Sequence, residues 1–194
     1  MPCQMNKQSQ ILEAMVAALA AAKVRYLIGG SVASSSIGVP RATLDTDILV
    51  EMDVAQAELL AHELGHDWYL DVAFASKALA NHRAFNAIHM LSGFKFDFFP
   101  AYTCFHRAEL ERAVIRHLNI ESNVVDCLVA TAEDMILAKL IWYREGGEQS
   151  QRQWEDVVGM LTTVKTLDWE HLRKWAVDLD VQDLLERASS AASQ

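Results

Sequence analysis

The sequence predicts an α+β fold, with strands and helices interleaved to about residue 128 and helices alone from 129 to 194. Three observations carry that reading. A short apolar run, Tyr26-Leu27-Ile28, ends in Gly29-Gly30-Ser31, the pattern of a strand closing on a tight turn. Two apolar-alternating segments, 85–89 and 94–99, flank Ser92-Gly93 as the arms of a hairpin. From Thr131 onward the apolar residues recur at helical spacing and strand-like alternation ends.

Taken in order, residues 11–23 are alanine-rich with apolar residues at helical spacing and predict a helix. A strand follows over 24–28, then a small, serine-rich stretch (30–38) that opens a short helix. Residues 43–51 hold Asp45, Asp47 and the run Ile48-Leu49-Val50, a strand. A helix over 54–66 ends at Gly65, Pro100 closes the hairpin, and 107–112 form a short helix. Thr131-Ala-Glu-Asp134 reads as a capping-box start, with Asp in place of the usual Glu or Gln, for a helix running to Glu145 and stopped by Gly146-Gly147. Further helices are expected over 149–164, 169–177 and 181–189, with Asp168 and Asp180 as N-caps and a frayed tail from Ser189.

At 194 residues, 52% of them hydrophobic, the chain can bury a substantial core. A net charge of −9 argues against broad, nonspecific nucleic-acid binding, which depends on neutralising phosphates with Lys and Arg. Cys3, Cys104 and Cys127 are odd in number and match no zinc spacing, so free thiols in a reducing cytoplasm are expected. No signal peptide is evident and no apolar run is long enough to span a bilayer, so a cytoplasmic protein without membrane contact is expected.

The chemistry concentrates in Asp45-Thr46-Asp47. Strand side chains alternate, so both carboxylates fall on one face, where they repel each other unless a cation lies between them. Hard divalent cations such as Mg²⁺ take oxygen ligands and arrive with substrate phosphates, which points to phosphoryl or nucleotidyl transfer. Asp97 lies between Phe96 and Phe98, and alternation sets it on the opposite face from them. It is either a further ligand of the same site or a solvated residue of an edge strand. A calcium EF loop is excluded, because Ile48-Leu49-Val50 follows Asp47, and no Gly-Lys-Ser/Thr makes Gly29-Gly30-Ser31 a P-loop. His62 and His66, four apart on a helix, read as a solvated face. Arg107, Arg112, Arg116 and His117 read as a mixed-charge surface diluted by Glu109 and Glu111.

Taken together, Ile28-Gly29-Gly30-Ser31, thirteen residues of spacer, Leu44-Asp45-Thr46-Asp47-Ile48 and the later Phe96-Asp97-Phe98 resemble the nucleotidyltransferase superfamily with the DNA polymerase β-like fold. Gly38-x-x-Arg41-x-Thr43, Glu133-Asp134, Lys139 and Trp154-Glu155-Asp156 look like its AbiEii-type branch, which includes toxins of type IV toxin–antitoxin systems. The branch often shows a Lys/Arg-Asp pair where this chain has Glu155-Asp156, with Arg152 four residues before Asp156.

The resemblance implies a polymerase β-like core over residues 1–128, a mixed sheet flanked by helices, and a C-terminal helical bundle over 129–194. It implies two Mg²⁺ or Mn²⁺ ions on Asp45, Asp47 and Asp97, and NTP phosphates held by Gly29, Gly30, Ser31, Arg41 and Lys139. Asp97 would double as general base, and Lys139 would meet the phosphates or pair with Asp156 across the Gly146-Gly147 turn. The implied activity is transfer of NMP from an NTP to a hydroxyl, as on tRNA, with a cognate antitoxin as partner. Transfer to a small antibiotic-type molecule is the alternative, since an acidic cleft attracts a cationic acceptor. A non-catalytic nucleotide- or partner-binding module is the third.

Overall fold

The computed structural model describes residues 8–30, 45–120 and 123–193. Ser31, Gly38, Arg41, Thr43 and Cys3, named above, lie outside the described residues, as does most of the short helix expected over 30–38. Helix α1 (Gln8–Ala21) leads into β1 (Arg25–Ile28), and β2 (Asp45–Glu51) is followed by α2 (Val54–Leu64), β3 (Trp68–Tyr69) and α3 (Val72–Ala80). Then come β4 (Phe85–His89), β5 (Phe94–Pro100), α4 (Cys104–Arg112), β6 (Val114–Ile120) and β7 (Asn123–Val129). Four helices end the chain: α5 (Ala132–Glu145), α6 (Gln151–Thr163), α7 (Trp169–Asp178) and α8 (Gln182–Ala192).

The strands make one seven-stranded mixed sheet in the order β3-β4-β5-β2-β1-β7-β6. The central pairs β2–β5 and β1–β7 are parallel, and the other pairs are antiparallel. Alternation divides the sheet into two chemistries. Ile48 and Val50 of β2 and Phe94, Phe96 and Phe98 of β5 are buried in one core with the apolar stripes of α1 (Ile11, Leu12, Met15, Leu19) and α2 (Ala57, Leu60). Phe98 stacks on Phe85 at 5.0 Å, and Phe96 meets Trp68 at 5.6 Å. The other face carries Asp45, Asp47 and Leu49 of β2 beside Lys95, Asp97 and Phe99 of β5.

Local signals explain most boundaries. Asp53 caps α2 in a full capping box with Gln56, and Gly65 closes the helix. Gly93 takes φ 72° to turn the β4–β5 hairpin, and Ser92 Oγ accepts the Phe94 amide at 3.2 Å. Thr131 caps α5 by accepting the Asp134 amide, and Asp168 caps α7 by accepting the His171 amide. Asp180 does not cap α8. It takes φ 56°, Val181 holds the cap position, and no side chain caps the helix. The helix also continues to Ala192, past the tail expected from Ser189. Pro100 is the last residue of β5 and does not cut it short: Lys95–Pro100 stays in register with β2.

Four elements have no counterpart in the sequence reading: β3, α3, β6 and β7. Strands β6 and β7 escape because Arg116, His117 and Asp126 interrupt the alternation on an exposed surface. Their pairing fits the mixed-charge surface expected there. His117 faces Asp126 across the hairpin, and Arg112 turns inward onto Glu133 and Asp134.

That inward turn ties the C-terminal helices to the sheet. Asp134, fully buried, accepts Arg112 Nε at 3.2 Å, His171 Nε2 at 2.6 Å and the Thr131 hydroxyl at 2.8 Å. Glu133 accepts the Asp168 amide at 2.9 Å. One acidic pair at the start of α5 therefore fastens α4, α5 and α7. Asp134→Ala leaves Arg112 and His171 without their shared carboxylate and should cost about 3 kcal/mol in urea unfolding. Arg25→Ala, which breaks the exposed Arg25–Glu51 pair, should cost under about 1 kcal/mol in the same measurement.

Candidate functional site

Strand β2 delivers Asp45 and Asp47 to the open face, and the β2–β5 register sets Asp47 opposite Asp97 and Asp45 opposite Lys95. Neighbouring strands lie about 5 Å apart, so Asp47 and Asp97 are adjacent on the sheet. Burial, then the Asp97 and Asp45 charges, pushes the Asp47 carboxyl above its ordinary value, against the pull of Lys139 and Lys95. Asp97 is held by Lys95, Nζ to Oδ2 at 2.6 Å, and that bond raises the lysine. Among the described residues, no three His, Cys, Asp or Glu side chains converge as a ready-made metal cage.

Gly29 and Gly30 leave the end of β1 directly against this strand. The Gly29 amide donates to the Asp47 carbonyl at 2.9 Å. Gly30 adopts φ 59°, and a Cβ there would lie 2.8 Å from Asp47 Cγ. Both the backbone conformation and the space demand glycine. Lys139, on α5 and 8% exposed, donates to Asp156 Oδ2 at 2.7 Å and Gln153 Oε1 at 3.3 Å. Helices α5 and α6 are thus pinned by the Lys139–Asp156 pair across the Gly146-Gly147 turn.

These groups open onto a cleft of about 410 Å³ between β1, β2 and β5 on one side and α4 and α5 on the other. Gly29, Gly30, Asp47 and Lys139 line one part of it. Leu27, Leu49, Phe99 and Trp142 make an apolar wall, with Phe99 and Trp142 edge to face at 5.4 Å. Tyr102, His106 and Glu109 line the α4 side. Asp45 and Asp97 do not line the cleft and sit beyond Asp47.

Sequence reasoning missed the α4 wall, and Glu109 in particular. It is only 6% exposed, and burial, with Asp134 nearby, raises its carboxyl well above the ordinary value of 4.5. No hydrogen bond or ion pair from the described residues reaches it. The signal was present: Phe105 and Glu109 are four apart, so one helix face presents both, and Phe105 is buried. The other named residues are uninvolved. His62 is exposed beside Glu63, Cys104 is exposed, and burial pushes the Cys127 thiol up to about 12, out of reach of thiolate chemistry.

No protein-family model matches the chain, and no curated protein matches its sequence. Solved structures do match. An antigenic nucleotidyltransferase-like protein from Paracoccidioides brasiliensis aligns over 98% of this chain and 95% of its own, with TM-score 0.53 and 16% identity. ANT(2'')-Ia in complex with adenylyl-2''-tobramycin aligns over 91% of this chain and 98% of its own, with TM-score 0.52 and 15% identity. The fold is that of the nucleotidyltransferases. No helix among the described residues is long and apolar enough to cross a membrane.

Glu109 also sets a pH dependence of stability. A carboxyl raised in the folded state contributes its stabilisation fully below its unfolded value of about 4.5 and loses it as pH climbs through the raised value. Glu109→Gln removes that slope. Urea melts at pH 5 and pH 8 should show the variant gaining on the wild type, with the larger advantage at pH 8.

Proposed function

We propose that the chain transfers a nucleoside monophosphate from an NTP to a hydroxyl-bearing acceptor, with a divalent cation held by Asp45, Asp47 and Asp97. The observation that carries this reading is the placement of Asp47 opposite Asp97 on the open face, with Gly30 against Asp47 and Lys139 in the same cleft. The donor set fits a hard cation: three carboxylates, no thiol and no imidazole. Burial, and then the Asp97 and Asp45 charges, raise the Asp47 carboxyl, a cost that a bound cation would relieve. When bound, Mg²⁺ or Mn²⁺, as two ions in the resembled family, supplies Lewis-acid neutralisation of the phosphates and a lowered pKa for the acceptor hydroxyl.

The chain's own groups do the rest. The Gly30 backbone amide, and by resemblance that of Ser31, grip the phosphates, from a turn that a side chain at Gly30 would push off Asp47. Ser31 and Arg41 extend that grip, by resemblance. Lys139, held in place by Asp156 and Gln153, offers its charge to the same phosphates. The acceptor oxygen attacks the α-phosphorus, the bond to the β-phosphate oxygen breaks, and pyrophosphate leaves. The hydroxyl proton passes to the Asp97 carboxylate, the general base.

The AbiEii-type resemblance favours a tRNA acceptor, a toxin role and a cognate antitoxin. The net charge of −9 favours a small cationic acceptor instead, the kind of acceptor suggested by the adenylyl-tobramycin bound to one structural neighbour. The deciding experiment incubates the protein with each α-labelled NTP, Mg²⁺ or Mn²⁺, and either total tRNA or tobramycin. Label should move to one acceptor and not the other. Asp45→Ala and Asp47→Ala should each lower transfer by about a hundredfold or more, the several kcal/mol a Lewis-acid site contributes. Metal-dependent NTP binding without transfer to any acceptor would leave a binding module. Gly30→Ala should cost about a hundredfold in transfer and also lower the unfolding midpoint, because the added Cβ meets Asp47 and the positive φ strains any residue but glycine.

A further inference from the structure

Strands β2 and β5 put one cation on the face that carries Asp45, Asp47 and Asp97, and the proposed transfer does not use it. Lys95 reaches that face by the same alternation that delivers Asp97, two residues further along β5. The β2–β5 register sets it opposite Asp45, and the β4–β5 register sets Ile88 on its other side. Its ammonium therefore has carboxylates on its own strand and on β2, and an apolar neighbour on β4. It takes Asp97, Nζ to Oδ2 at 2.6 Å. The charges of Asp97, Asp45 and Asp47 all act on it, and its own charge acts in turn on Asp47.

A lysine ammonium and a divalent cation compete for the same ligand, a carboxylate oxygen, and they repel each other. With Lys95 seated on Asp97, one of the three carboxylates is already matched. Among the described residues no three acidic, imidazole or thiol side chains converge as a cage, in keeping with a third carboxylate committed to a lysine. The fold does not lock this pair in place. The Lys95 side chain is 39% exposed and that of Asp97 21%, so the ammonium can swing away on its flexible four-carbon stem.

We propose that Lys95 is a built-in competitor for the cation site: it must leave Asp97 before a divalent ion takes that carboxylate, so metal loads with the nucleotide and not ahead of it. This rests on the nucleotidyltransferase reading. A bare ion gains Asp97 only by displacing an ammonium whose charge then stays nearby. A triphosphate arriving with the ion brings negative charge to which the displaced ammonium turns. The same lysine thus opposes the first event and not the second.

The test is Mn²⁺ binding to the full chain without nucleotide, read as Kd from the electron paramagnetic resonance signal of the free ion. Lys95→Met should bind Mn²⁺ about tenfold more tightly than wild type, the effect of removing a unit charge a few ångströms from a divalent ion at water-like screening. Lys95→Arg keeps the charge and should stay within about threefold of wild type. In an Asp97→Ala background the Lys95→Met gain should shrink to within about threefold, because the contested carboxylate is gone. The α,β-methylene analogue of each NTP, titrated by calorimetry at saturating Mn²⁺, should bind Lys95→Met no more tightly than wild type. Urea melts confirm that the variants fold.

Equal Mn²⁺ affinity in wild type and Lys95→Met, or no measurable binding in either, overturns the proposal and leaves an ordinary surface ion pair. A gain that persists undiminished with Asp97→Ala overturns it as a long-range charge effect. A gain shared by Lys95→Arg, or tighter analogue binding by Lys95→Met, overturns it too. Mn²⁺ binding that Asp45→Ala, Asp47→Ala and Asp97→Ala each leave unchanged puts the ion elsewhere and sinks the nucleotidyltransferase reading itself.

Discussion

The parallel pairing of β2 with β5 runs unbroken from Asp45 opposite Lys95 to Val50 opposite Pro100. Because strand side chains alternate, this one register decides both faces of the sheet at once. It sends Thr46, Ile48, Val50, Phe96 and Phe98 into the core and places Asp47 beside Asp97 on the open face. A slip of one residue along β5 would expose Phe96 and Phe98, at about 2–3 kcal/mol each, and bury Asp97 and Lys95. The hydrophobic energy that holds the core is therefore what holds two mutually repelling carboxylates side by side. Gly30 belongs to the same constraint: β1 returns so close to Asp47 that only a residue without Cβ fits.

The second layer of control lies in α5. Its first turn carries Glu133 and Asp134, fastened to α4 and α7, and its middle carries Lys139, fastened to α6 through Asp156. These polar ties hold the helical part against the sheet and keep the cleft open. An apolar seam could close over the space. A carboxylate with fixed donors on two neighbouring helices sets a direction as well as a distance. Glu109 lies inside this framework near Asp134, whose carboxylate is already taken by Arg112 and His171, and no hydrogen bond or ion pair from the described residues reaches it.

The parts of this chain that were readable in advance share a physical reason. The Asp45/Asp47 alternation, the Ser92-Gly93 hairpin, the Thr131 cap and the Gly146 stop are local, and local rules reach them. The Lys139–Asp156 pair was readable because a turn of known length joins the two helices. Asp180 misled because a side chain suited to a cap says nothing about backbone conformation, and the residue takes a left-handed φ. Strands β6 and β7 were missed because one face is exposed and charged, so their pattern is diluted. Glu109 was read as a surface charge because its burial depends on β1 and α5, brought to α4 by tertiary packing alone.

The electrostatics of the cleft constrain how any phosphate can bind there. The cations whose charge acts on Asp47 are Lys139 and Lys95, and each is already paired, with Asp156 and Asp97. Neither brings a surplus of positive charge to a face that also carries Asp45 and Asp47. A triphosphate adds several more negative charges, and the chain as a whole is at −9. The Gly30 amide contributes a partial charge only, too little to offset like-charge repulsion at contact distance. On the proposed reading, phosphate binding here would therefore need positive charge beyond that of the described residues, such as a cation carried in with the nucleotide.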